Sequence, residues 1–487
     1  MAAPEPGVLR RDALGTAGVV FLVLAAVAPL TGIIVIASLG IALGNGGGMP
    51  GAFLLAAVVL VLFGIGYAQM SKVIVGAGGF YVYVTHGLGR PLGMVAAMVA
   101  LVGYNCFVAG AVGTSGFFTA NVVEQVLGPH TPWQLWSLLS AIAVFALGRR
   151  GVDVSAKVLG VSLVLEVSIL LVLDVAVAVR TGLDVSAFAP GVVFSGSAGI
   201  AFLFAFNAFV GFEATGLFSE EARDPRRTIP RATYAAIVLI GVFAAFTTWA
   251  VVSAIGVTRA GTAAQEHLKA GDLVFSISQT YLGTVLTDVM MLLLVVSLFA
   301  ALLALHNSAT RYLFALGRAR VLPPALGRTN PRNGAPHVAS GVQIGFATLV
   351  AASYAAAGLD PLADLTASMT GIGTLGVITL QAMAGIAVVA YFRRRRDPRI
   401  WRTAVAPGLG GLGLVAVTVL AVANFPTLAG SGAPAIALLP WLLAVAVAIG
   451  LGVSYRLRVG RPEVYAALDR LSVSTVDQDL PDVNRTG

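Results

Sequence analysis

The chain reads as an all-α polytopic membrane protein, and three observations lead there. Of its 487 residues 58% are hydrophobic and only 11% charged, with a mean hydropathy of +0.91; soluble domains carry about a quarter charged residues. Twelve windows of mostly apolar residues run from end to end, at 14–43, 51–70, 91–123, 134–149, 155–179, 197–218, 232–256, 284–315, 338–357, 363–392, 403–424 and 433–455. Each comes close to the roughly 20 residues that a bilayer span needs, 134–149 being the weakest. Finally, if the connections alternate sides, all of the 30 Lys and Arg except Arg180, Arg259 and Lys269 fall on one side. The positive-inside rule makes that side, and both termini, cytoplasmic. Hydropathy spread over the whole length excludes a soluble enzyme with a single anchor.

The remaining composition agrees. The 57 glycines and 22 prolines lie largely inside the apolar runs, as membrane bundles tolerate. The net charge of +8, with Arg393–Arg396 its densest run, is a topology and lipid-headgroup signal here rather than a nucleic-acid footprint. The single cysteine, Cys106, permits no intrachain disulfide and suits a small buried hydrophobe. Residues 1–13 are short and polar with no cleavage site, so the first span is expected to act as an uncleaved signal anchor.

Taken in order, the first span is interrupted by Pro29 and Gly32. Proline removes a backbone donor and disfavours helix at the preceding residue, so the chain should kink or unwind near Ala28. By itself that is also what an ordinary kink looks like. The sixth span carries a second interruption, Gly211, in the stretch 202–231. The two lie five spans apart and therefore run in opposite directions. Paired broken helices in corresponding positions of inverted halves point to a substrate site at the bilayer midplane.

The segment 71–93, rich in glycine and aromatics, reads as a partly embedded connection, either an inner-gate lining or a structural elbow. The third span holds Tyr104 and Asn105 near its middle, where polar groups join helices or line a cavity. The fifth places Glu166 near the bilayer centre and Asp174 two turns nearer the outside, closer to water. An intramembrane carboxyl is a functional candidate by default, here a proton carrier. Glu213 in the sixth span is a second one, since it must face an interior, a wet cavity, or be protonated. Beyond it Glu220 and Glu221, beside Arg223 and Arg226, suggest an ion-pair network at the inner mouth.

The eighth span closes with His306 and Asn307, the histidine most simply a packed neutral one. Residues 366–376 of the tenth are again glycine-rich. Spans eleven and twelve have no ionisable residue in their apolar centres and belong outside a transport core. The tail from Arg461 is expected to be disordered apart from a helical turn at EVYAALD. No histidine–cysteine metal cluster, GxSxG elbow or dinucleotide fingerprint occurs. The chain is therefore expected to use no cofactor or metal and to be no enzyme.

The block FNAFVGFEATGLFSEEARDPRRTIPRA, residues 206–232, resembles the sixth-span signature of the amino acid–polyamine–organocation (APC) permeases. GAGGFYVYVTHGLGRPLG, 76–93, is similar to that family's link between spans two and three, and HNSATRYLFALGRARVLP, 306–323, to its span-eight exit. The resemblance implies a leucine-transporter-like 5+5 inverted repeat plus two helices: spans 1–5 in 14–180, spans 6–10 in 181–395, spans 11–12 in 396–456, between termini at 1–13 and 457–487. It implies a substrate carboxylate against the amides of Leu30, Thr31 and Gly32, beside Pro29. The ammonium would meet carbonyls around Ala28, Phe206, Asn207 and Phe209. Phe206, Phe209 and Phe212 would close over the ligand, with Tyr104 and Gly211 nearby.

Two features depart from the family pattern. The frequent Gly-Ser-Gly at the first break is here Pro29-Leu30-Thr31-Gly32, and Glu166 stands where some proton-coupled relatives carry a lysine. Ser297 has no hydroxyl neighbour near the middle of the eighth span, which makes sodium a less favoured ion than the proton. The expectation is a secondary transporter of amino acids or related amines, proton-coupled through Glu166 and Glu213. An obligate exchanger, a carrier of another small solute and an amino acid sensor are the alternatives. Arginine in place of lysine, with heavy Ala, Gly and Val usage, points to a GC-rich bacterium and hence to an inner membrane.

Overall fold

In a bilayer each backbone polar group must bond within its own segment, and this apolar chain meets that demand with helices. The computed structural model describes residues 15–74, 79–149, 152–212, 215, 222–428 and 434–468. Among these there is no β-strand, and nine stretches are long and apolar enough to cross a membrane.

The main helices are α1 (Thr16–Val27), α2 (Met49–Val73), α3 (Arg90–Leu127), α4 (Trp133–Gly148), α5 (Val152–Arg180) and α6 (Ala198–Asn207). They continue as α7 (Pro225–Ile255), α8 (Thr284–Arg318), α9 (His337–Ala356), α10 (Ala367–Arg394), α11 (Ala406–Leu428) and α12 (Trp441–Gly460). Pro29–Val73 counts as one of the nine stretches, although its backbone leaves helical geometry at Gly44 and turns at Gly46. α4 and α6 are among the shorter apolar helices.

Boundaries follow local chemistry. Prolines occupy the first turn of α2, α3 and α7, where a missing N–H costs nothing. Gly128 and Gly256, with positive φ, stop α3 and α7. The 38-residue α3 is the central post, packed against α4, α8, α9, α10 and α12. α7 lies along α2, and α11 covers α2 and α10. α1 sits between α5, α7 and α8, which sets its interruption among three helices. The linker helix Phe80–Leu88 packs on α10 and α3 with Phe80, Val82 and Val84 buried. A short helix, Pro462–Ala467, follows α12.

Candidate functional site

The first span stops being helical at a single residue. Ala28 takes φ 46 and ψ 78, the left-handed region, and helix resumes at Pro29. Local chemistry contributes, since the proline ring disfavours the helical region for its predecessor. An L-residue held there costs roughly 1–2 kcal/mol, which packing of the two flanking segments must offset. The break is tight: the Ala28 N–H bonds to the Leu24 carbonyl at 3.1 Å, and the Ala28 carbonyl accepts from the Gly32 N–H at 2.8 Å. In the sixth span α6 ends at Asn207. The chain goes on in turns, with the Phe209 N–H on the Phe206 carbonyl at 3.0 Å and the Val210 N–H on that of Asn207 at 2.9 Å. Gly211 has φ 120, a conformation that suits glycine.

Against the first break lies Glu166, 1% exposed. Its Oε2 accepts from the Leu30 N–H at 3.3 Å and from the Ser297 hydroxyl of α8 at 2.7 Å. Its Oε1 accepts from Ser162, one turn back on α5, at 2.5 Å. Ser297 Oγ accepts from the Thr31 N–H at 3.3 Å and lies 2.9 Å from Thr31 Oγ1. A hydroxyl has one hydrogen. With Glu166 ionised, the Ser297 hydrogen goes to it and the Thr31 hydroxyl donates to Ser297; with Glu166 protonated, the chain can run the other way. One carboxyl therefore joins α5, α8 and the start of the resumed helix, where negative charge is also favoured by the helix dipole. The amides of Leu30, Thr31 and Gly32, which the resemblance assigned to a substrate carboxylate, thus have protein partners already: Glu166, Ser297 and the Ala28 carbonyl.

A cavity of about 50 Å³ opens beside this network, between the two breaks and helices α3, α8 and the tenth span. Thr31, Gly32, Asn207, Thr114, Thr366 and Thr370 supply its polar wall; Val35, Ile36, Val210 and Leu298 are among its apolar lining. Such a volume suits a few waters and no larger solute. Behind the break lies an apolar cleft of about 210 Å³ bordered by Pro29, Ile33, Leu163 and Phe243.

The aromatic residues that the resemblance sets over a ligand are found as follows. Phe206, Phe209 and Phe212 are buried in helix packing and do not line the cavity. Phe209 lies beside Gly241 of α7, and Phe212 meets Phe63 of α2 edge-on with centroids 6.4 Å apart. Tyr104 stacks on Tyr312 at 4.9 Å, so Phe107 and Ala111 of the next turns face the cavity instead. Asn105, anticipated as a link between helices, donates to Leu101 of its own helix at 2.7 Å.

Asp174, expected nearer to water, is fully buried and accepts from Thr247 of α7 at 2.7 Å. His306 is buried with both ring nitrogens engaged, Nδ1 by Gln343 at 2.5 Å and Nε2 by Ser340 at 2.8 Å, a latch between α8 and α9. Arg223 and Arg226 are exposed, while Glu213, Glu220 and Glu221 lie outside the described residues. Among the described residues no group of His, Cys, Asp and Glu could hold a metal ion. Ser162 and Thr31 Oγ1 escaped sequence reasoning as parts of the network. The spacing Ser162–Glu166, i to i+4 on one helix face, was the available signal.

The sequence comparisons bear on the same region. A profile of the amino acid permease family matches residues 19–464. The branched-chain amino acid permease of Lactococcus lactis subsp. cremoris is 29% identical over 59% of this chain and 64% of its own length, so just under two thirds of that relative is spanned. The branched-chain amino acid permease of Bacillus subtilis is 25% identical over 79% of this chain and 82% of its own length. The methylthioribose transporter of Bacillus subtilis is 24% identical over 76% and 78%. These relatives are named as transporters, and the family profile's match takes in both interrupted spans, Glu166 and Ser297. The chain is a multi-pass membrane protein that belongs to the amino acid permease family of the APC superfamily.

Proposed function

We propose that this protein is a secondary transporter of small apolar amino acids, branched-chain ones among them, working by alternating access with proton coupling. The observation that carries this reading is the bond from the Leu30 N–H to Glu166 at the break in the first span, beside a cavity with apolar walls at Val35, Ile36, Val210 and Leu298. Ionised Glu166 holds the N-terminus of the resumed helix. Protonation removes that charge and frees the helix end for a substrate carboxylate, so proton and amino acid load together. The apolar wall then receives the side chain, and Asn207 and the threonines supply polar contacts. Glu213 is retained as a second candidate carrier, with Glu220, Glu221, Arg223 and Arg226 as the inner gate. Twelve spans, ten of them in two inverted repeats (14–180 and 181–395), and cytoplasmic termini in a bacterial inner membrane complete the proposal.

The test is uptake of labelled leucine, isoleucine and valine into proteoliposomes under an inward pH gradient, for the parent and Glu166→Gln. Accumulation is expected to fall in the variant while leucine counterflow at symmetric pH persists. Equal gradient-driven uptake by both proteins removes the coupling role. A second reading, a solute without a carboxylate, is favoured by the amides of Leu30 and Thr31 being already bonded and by the methylthioribose relative. Methylthioribose uptake that leucine does not inhibit would establish it in place of the first.

A further inference from the structure

The transport scheme leaves a fully buried carboxyl, Asp174, unused. Asp174 lies on α5, eight residues beyond Glu166, which is about 12 Å along the axis. Its side chain is 0% exposed. Oδ2 accepts from the Thr247 hydroxyl of α7 at 2.7 Å, and Oδ1 has no partner among the described residues. No cation within ion-pairing distance is found among the described residues. Along the chain, Leu170, Leu173 and Val177 of its own helix are buried, as are Thr248, Ala250 and Val251, which follow Thr247 on α7.

An ionised carboxylate so enclosed is costly, because burial without a counter-charge forfeits hydration that one hydroxyl cannot replace. The neutral acid fits better. A hydroxyl both donates and accepts, so Thr247 can receive the acid proton from Oδ2, and the unpartnered Oδ1 is then a carbonyl oxygen, the cheaper orphan. The elements packed on α5 offer no other resident charge at this level. α1 and α4 carry no ionisable residue, nor does α7 beyond Tyr234. Tyr281 and Asp288, from the Leu273–Leu282 helix and α8, and Arg180 of α5 are each at least partly exposed, nearer the rim.

We propose that Asp174 is a second proton-binding site of the transport cycle, on the outward side of Glu166 and released to water when α5 and α7 part. It rests on the transporter reading above. In the closed arrangement the carboxyl is neutral and bonded to Thr247. When the outer ends of the helices separate, the acid gives its proton to water and becomes a hydrated carboxylate, and it regains a proton before the helices close again. Closure is thereby possible only in the protonated form, which makes external acid promote the cycle.

Full-length protein in proteoliposomes tests this with leucine as the probe and three proteins, the parent, Asp174→Asn and Asp174→Glu. The acid stimulation of uptake is expected to be lost in Asp174→Asn and regained in Asp174→Glu, with counterflow at neutral symmetric pH retained by all three. Infrared spectra of the parent should contain a protonated-carboxyl stretch that Asp174→Asn lacks. Should that variant fail to reconstitute, Thr247→Val must shift the same band to higher frequency. Superimposable pH profiles, or an infrared band unchanged by the substitutions, would overturn the proposal while leaving transport itself intact. Absence of leucine flux in the parent would instead fail the reading on which it rests, and the infrared band would still decide whether Asp174 holds a proton.

Discussion

Glu166 and Asp174 sit on one helix, both walled off from solvent, yet their surroundings are opposites. Glu166 has three donors, from α5, α8 and the interrupted first span. Asp174 has one, from α7. A carboxylate with several donors is satisfied when ionised, whereas one with a single hydroxyl is better kept neutral. The difference teaches that burial alone does not define a proton site. The number and origin of the donors bear on which protonation state the fold accepts. Glu166 is bonded to the break in the first span, Asp174 across the contact of α5 with α7.

Ser297→Ala should break the comparison most severely. It removes a donor to Glu166 and the acceptor of the Thr31 N–H at once, leaving Glu166 closer to the condition of Asp174. A hydrogen bond to a charged group contributes about 2 kcal/mol, and thermal unfolding in detergent should register a loss of that order. Ser297→Thr keeps the hydroxyl and should restore most of it. A destabilisation equal in both variants would mean that packing, not the hydroxyl, matters at this position.

Both interruptions were legible in the sequence because proline and glycine act on their own backbone: Pro29 disfavours helix at Ala28, and Gly211 takes the conformation its lack of a side chain permits. Glu166 was legible for the same kind of reason, a charge in the middle of an apolar run. What was not legible is direction around a helix axis when all faces are apolar. Phe206, Phe209 and Phe212 were equally good candidates for a cavity wall or for packing, and only neighbouring helices decide between those. Asp174 shows the same limit: its depth along α5 suggested access to water, but its azimuth points it at α7.

Thr247→Val sharpens the other half of the comparison with a smaller effect. It removes the one hydrogen-bond partner that Asp174 has among the described residues at nearly constant volume. If the carboxyl is neutral, as its single partner implies, the loss should be about 1 kcal/mol, the worth of an ordinary hydrogen bond. A loss approaching the roughly 3–5 kcal/mol of an uncompensated buried charge would show Asp174 to be ionised and would erase the contrast with Glu166. Denaturation midpoints measured against the parent distinguish the two values.

The smallest effect belongs to a carboxylate outside the bundle, which sets the baseline for both buried ones. Asp397, between α10 and α11, takes Arg399 Nε at 3.0 Å and Nη2 at 2.7 Å, and Arg399 reaches on to Gln69 of α2 at 3.2 Å. Hydrogen bonds from that guanidinium hold the Asp397 carboxyl below its usual 3.8. A depressed carboxyl adds stability that is present above its unfolded value and lost as pH falls through its folded value. The contribution therefore stands at neutral pH and vanishes only in acid below 3.8. Because the pair is at the surface, Asp397→Asn should cost about 0.5 kcal/mol or less at neutral pH, with leucine uptake unchanged across the pH range in which Glu166 and Asp174 variants differ. A shift of the uptake profile by Asp397→Asn would mean that the acid response is not confined to α5.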